Sequence, residues 1–132
     1  MAEASCPKDL LYHPDHDWAR IDDEQQGVAT FGITWFAQGA LGEVVFFEPP
    51  EVGSTLKKDT PYAEVESVKA VADVIAPLSG QIIEVNSELG DDPSAINEDP
   101  YGQGWLVKVR LSDRSERERL LDADAYSQLL AE

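Results

Sequence analysis

From Trp18 to Leu111 the chain reads as a series of short β-prone runs, each stopped within a few residues by glycine, proline or a polar turn. Such punctuation leaves little room for long helices and asks for a small, mainly β domain. Trp18–Ile21 and Gly27–Ile33 are predicted strands, joined across the polar run Asp22 to Gln26 as a hairpin. Thr34 is placed to cap a short helix through Phe36, Ala37 and Leu41. Glu43–Glu48 is strongly β-prone and stops at Pro49-Pro50. Tyr62–Glu66 and Val71–Ile75 form a second hairpin, followed by Gln81–Val85. Residues 86–104 are rich in turn residues, with short helical turns expected around Pro93 to Ile96, and Trp105–Leu111 alternates as a strand.

The two ends differ from this middle. Residues 1–11 read as an irregular lead-in. From residue 112 the apolar spacing becomes helical: Leu120, Leu121, Tyr126, Leu129 and Leu130 suit one or two amphipathic helices. Asp113 and Glu116 have capping-box spacing, Arg114 to Arg119 suits a solvated helix face, and Asp122 can break the helix and cap a new one. No Gly-, Ser- or Pro-rich linker divides the 132 residues, so residues 1–132 are expected to fold as one domain.

Charge narrows the partners. Asp and Glu number 26 against 10 Lys and Arg, a formal net charge of −16. Such a surface repels nucleic-acid phosphates and anionic membranes, and suits basic faces on other proteins. Cys6 is the one cysteine, so neither an internal disulfide nor a multi-thiolate metal site can form; an incidental role in the lead-in fits it best. His13 and His16 lack the spacing partners of a metal site, and structural or surface roles suit them better. No run approaches membrane-span length and the N-terminus has neither secretory nor transit character, so a cytoplasmic location is expected, or the mitochondrial matrix if a presequence was removed.

The segment that carries chemistry is Val65-Glu66-Ser67-Val68-Lys69-Ala70. A lysine to be acylated by another enzyme needs an exposed amine on a rigid backbone, and a hairpin tip supplies both. The modest neighbours Ser67 and Ala70 leave room for a ligase to approach. There is no nucleophile–base pair and no phosphate loop.

Glu66-Ser67-Val68-Lys69-Ala70 resembles the lipoylation site of the glycine cleavage system H proteins, and the likeness extends along the chain. His16-Asp17-Trp18 resembles the family's early His-Glu-Trp. Gly32-Ile33-Thr34, Ala37-Gln38 and Leu41 to Phe46 resemble its next block. Ala76-Pro77-Leu78-Ser79-Gly80 falls at its Pro-x-Ser-Gly turn, Asn97 to Leu106 matches its most distinctive loop, and Leu121 to Tyr126 matches the start of its last helix. The blocks keep family order and spacing.

The resemblance implies a lipoyl/biotinyl-type flattened β-barrel or sandwich with C-terminal helices. It implies lipoate, covalently attached to Lys69, since Val68 and Ala70 stand where biotin carriers place methionines. The implied role is a carrier rather than an enzyme. It takes an aminomethyl group from a pyridoxal-phosphate glycine decarboxylase to a tetrahydrofolate-dependent aminomethyltransferase, and then the dithiol to the FAD enzyme dihydrolipoyl dehydrogenase. A lipoate ligase or lipoyl transferase would load Lys69, with Glu66 in its recognition. Asp17, at the position of the family's Glu, and Asp73, at a second acidic position, would hold the arm. Trp18, Trp105 and Tyr101 would serve as core or cleft wall. The chain departs from the family at Trp35 (commonly Asp), Asp17 (one methylene shorter), Ala63 (commonly Gly) and Glu64 (commonly apolar). Trp35 and Glu64 keep a second reading open: an H-like carrier or lipoate relay serving oxoacid dehydrogenases or sulfur oxidation.

Overall fold

The computed structural model describes residues 7–131, so Cys6 lies outside the described residues. The strands are β1 (Leu11–His13), β2 (Asp17–Asp23), β3 (Val28–Ile33), β4 (Val44–Glu48), β5 (Thr55–Leu56), β6 (Pro61–Ser67), β7 (Val71–Ile75), β8 (Gly80–Val85) and β9 (Val107–Leu111). The helices are α1 (Trp35–Leu41), α2 (Glu88–Asp91), α3 (Ser94–Glu98), a 3-10 turn (Arg114–Arg119) and α4 (Ala123–Ala131). Six strands form one antiparallel sheet in the order β1-β2-β3-β9-β8-β5, which curls into a half-barrel; β4-β6-β7 form a smaller sheet.

Both sheets face one apolar core. Phe31 and Val109 from the large sheet and Phe47, Val65 and Val74 from the small one belong to a single buried cluster, with Leu89 of α2 and Ile96 of α3. Burial of each such side chain stabilises the fold by about 1.5–3 kcal/mol. A second cluster, Leu10, Tyr12, Trp18, Ala123 and Tyr126, docks α4 on β1 and β2. Tyr12 and Tyr126 stack there with ring centroids 4.6 Å apart.

Most predicted elements are present, with corrections at the ends. The lead-in is not irregular as far as residue 11: Leu11 pairs with Ala19 in β1. Tyr12 exchanges two backbone hydrogen bonds with Leu121, at 2.7 and 2.8 Å. Thr34 caps α1 as expected, accepting from the Ala37 N–H at 3.2 Å. Arg114–Arg119 is solvated as expected, with no buried residue, and is a 3-10 helix in form. Arg114 donates to the Glu24 and Gln25 carbonyls and Arg117 pairs with Glu24, so this turn fastens the β2–β3 hairpin. Glu116 completes no capping box; its carboxylate accepts from the Ser79 N–H and hydroxyl at 2.8 and 2.9 Å. Asp122 does cap α4, accepting from the Ala125 N–H.

Candidate carrier site at the hairpin tip

The β6–β7 hairpin closes at Ser67 and Ala70, leaving Val68 and Lys69 exposed at its tip. Ser67 donates its N–H to the Ala70 carbonyl at 2.8 Å, and its hydroxyl accepts from the Ala70 N–H at 3.1 Å and lies 3.2 Å from the Ala70 carbonyl. Ser67 is therefore buried under the tip and fastens it, rather than leaving room beside the lysine, while Ala70 is exposed. The Val68 N–H donates to the Glu43 carbonyl at 3.0 Å and anchors the tip to the segment after α1.

The ground beneath Lys69 is also built. Gly42 ends α1 at φ +82°, a conformation that favours glycine, and a Cβ there would lie 3.6 Å from the Lys69 Cε. The lysine stem therefore runs close over this residue. Asn97 holds the same spot: its amide donates to the Gln38 side-chain oxygen and the Gly42 carbonyl, and its oxygen accepts from the Val44 N–H. The loop after Asn97 is clamped in turn. Pro100 accepts from the Trp18 indole at 3.0 Å, and Tyr101 accepts from the Trp35 N–H at 2.9 Å. Trp18 is core; Trp105 and Tyr101 are half-buried against the second cluster.

Between α1 and the hairpin lies a cleft of about 250 Å³. Phe36, Leu41, Val65 and Ala72 supply apolar wall, and Asp15, His16, Asp17 and Asp73 supply the polar part. The structure thus brings Asp17 of β2 and Asp73 of β7 to one cavity. Glu66 stands apart from it, exposed beside Phe46, Glu64 and Val71 on the outer face of the small sheet.

The two acids differ. Asp73 is exposed, whereas Asp17 is 3% exposed and its Oδ2 has no hydrogen-bond partner. Burial, then the nearby charge of Asp15, pushes the Asp17 carboxyl well above the usual carboxylate range; a hydrogen bond from the Ile75 N–H opposes them. Asp17 is therefore no loose surface charge.

His16 has a place in the site that spacing did not show. Its backbone is left-handed at φ 74°, its ring lies 4.4 Å from Phe36, and its Nδ1 is 2.8 Å from the Tyr126 hydroxyl. That hydroxyl is also 2.8 Å from Thr34 Oγ1, so α4, the cap of α1 and the cleft wall share one junction. Burial holds the His16 imidazole below its ordinary value, partly offset by Asp15. His13 is buried and bonds Asp59 at 2.6 Å. Among the described residues no group of three or more His, Cys, Asp or Glu is arranged to hold a metal ion, and no helix is long and apolar enough to cross a membrane.

The site is thus an exposed lysine on a braced β-turn, beside an apolar cleft that carries acidic groups. Residues 10–132 match the model of the family described as glycine cleavage H-protein. A glycine cleavage system H protein of Symbiobacterium thermophilum is 49% identical over 123 residues, covering 93% of this chain and 94% of that one. That of Halorhodospira halophila is 48% identical over 98% of both chains. The crystal structure of a glycine cleavage system H protein from Mycobacterium marinum superposes with a TM-score of 0.86 at 43% identity, covering 96% of this chain and 99% of the other. The chain belongs to the glycine cleavage H-protein family, whose members are the lipoyl carriers of that system.

Proposed function

We propose that Lys69 is the attachment point for lipoate, and that the cleft between α1 and the β6–β7 hairpin receives the arm. The observation that carries this is the pairing of an exposed, braced lysine with an adjacent apolar cavity holding a buried acid whose Oδ2 is unpaired. The residues fit the group. Phe36, Leu41, Val65 and Ala72 suit an aliphatic chain, and Asp17 and Asp73 suit a cationic amine at its end. When bound, lipoate supplies a disulfide–dithiol couple that accepts a one-carbon amine unit and is later reoxidised. This chain's own residues bind, orient and exclude water: the apolar wall lowers water access, and the low local dielectric strengthens attraction of the amine to the acids.

The partners proposed are glycine decarboxylase, the folate-dependent aminomethyltransferase, dihydrolipoyl dehydrogenase and a lipoate ligase or transferase. Glu66, exposed beside the tip, is proposed to meet the last of these, and Ala70 to leave it room. The proposed role is that of a cytoplasmic carrier that does no bond chemistry of its own; that it is a single domain is supported by the core shared by both sheets. The test is to load the lipoylated protein with glycine and glycine decarboxylase and follow carbon from labelled glycine by intact mass. Label on the chain supports glycine cleavage; no label, with transfer of lipoate to an oxoacid dehydrogenase domain instead, would favour the relay reading.

A further inference from the structure

The small sheet holds an irregularity directly behind Asp17. Pro61 pairs with Ile75 and Ala63 with Val74, so Tyr62 is the extra residue of a β-bulge. Bulges re-aim side chains and interrupt the ladder. Here the bulge turns Tyr62 toward the core, where its ring meets Phe31 at 6.2 Å. Ile75, across from the bulge, turns its N–H toward the Asp17 carboxyl, whose pKa it helps to hold down.

The result is a pair of orphans. The Tyr62 hydroxyl and Asp17 Oδ2 are the two buried side-chain polar atoms without a hydrogen-bond partner among the described residues. Val74, the ladder partner of Ala63, lines one cleft with Asp17, which sets the bulge beside it, and the Asp17 charge adds to burial in pushing Tyr62 up. The chemistry is complementary: a phenol can donate, and an ionised carboxylate accepts at both oxygens. A protonated Asp17 needs few donors, but a buried carboxylate held by one N–H is under-supplied.

We propose that Tyr62 is a positioning residue for Asp17: when a cationic group on the arm enters the cleft, the Tyr62 hydroxyl closes on the Asp17 carboxylate and fixes it toward that cation. This rests on the proposed role of Asp17 in holding the arm. A proton on Asp17 passes to solvent as the cation enters, leaving a carboxylate paired with the ammonium and faced by two donors, Ile75 N–H and Tyr62 O–H. Asp15 and His16 from the β1–β2 turn and Asp73 from β7 share the cavity; α1 contributes no titratable group. Of these, the carboxylates compete for the same cation, whereas Tyr62 offers Asp17 a neutral donor.

The experiment compares wild type, Tyr62→Phe, Asp17→Asn and the double variant, each lipoylated and labelled with carboxyl-13C aspartate. The proteins are charged with glycine and glycine decarboxylase. Two quantities are read: the pH midpoint of the Asp17 carboxyl resonance, assigned by its loss in Asp17→Asn, and the rate at which the charged group is lost by hydrolysis. Tyr62→Phe keeps the ring and the bulge, so thermal unfolding of the uncharged protein is expected to stay at or above wild type. In the charged protein it should raise the Asp17 midpoint and speed loss by about tenfold, the worth of one hydrogen bond to a charged group. In the Asp17→Asn background the same change should alter loss by less than about twofold. An unchanged midpoint and rate in Tyr62→Phe, or equal acceleration in both backgrounds, would overturn the role of Tyr62. An Asp17→Asn protein that keeps its charged group as long as wild type would instead overturn the role of Asp17 itself.

Discussion

Asp17→Asn should stabilise the uncharged protein, and the gain should depend on pH in a defined direction. Asp17 is buried, its Oδ2 is unpaired, and its carboxyl is held well above the usual range by burial and by Asp15. An aspartic acid with a raised native pKa binds its proton more tightly folded than unfolded. Stability therefore falls as pH rises from the ordinary aspartate value, about 3.9, toward the native one, and stays low beyond it. Asparagine does not titrate. The difference between variant and wild type should then widen with pH between the two values, by up to about 1.4 kcal/mol per pH unit, and flatten once the native value is passed. For a chain of this length that is roughly 4–7 °C in Tm per pH unit. Urea unfolding of both proteins at closely spaced pH values above 4 measures it. A difference that is constant with pH would refute the idea that burial in the fold favours the protonated form of Asp17.

Other perturbations separate the supports of the site. Gly104→Ala should cost about 1–3 kcal/mol, because a Cβ would sit 2.6 Å from the Ala95 carbonyl oxygen and 2.9 Å from Ile96 Cα, backbone atoms that cannot swing aside; an unchanged denaturation midpoint would contradict this. Asn97→Ala removes the bonds to Gln38, Gly42 and Val44 and should cost about 2–3 kcal/mol, with amide exchange rising first at Val44. Ser67→Ala removes the side-chain part of the turn fastening and should cost about 1 kcal/mol, while slowing Lys69 modification by a lipoate ligase; slowing without any stability change would point to direct recognition of the hydroxyl.

The hairpin and its lysine were legible because turn chemistry is local. Val71–Ile75 was read with its observed bounds, and Lys69 sits at the tip as expected. Ser67 was misread although a signal existed: strand alternation puts it on the same inward side as Val65, and both are buried. The burial of Asp17 had no local signal, since it follows from packing β2 against β7, which are distant in sequence. The same holds for Tyr62, whose inward turn depends on a register shift set by its partner strand. β1 escaped notice because it is three residues long and its second partner, Leu121, lies near the other end of the chain. The Asn97–Trp105 loop was recognised by likeness alone; its physical purpose, bracing Gly42 and Val44 beneath the lysine, needed coordinates.

The carrier role of Lys69 is tested most directly by intact mass and peptide mapping after co-expression with a lipoate ligase and lipoate, beside a Lys69→Arg control. The expected result is one lipoyl adduct, mapped to Lys69 and absent from the control. A chain that stays unmodified with several ligases, or takes the adduct at another lysine such as Lys57 or Lys58, would contradict the central claim.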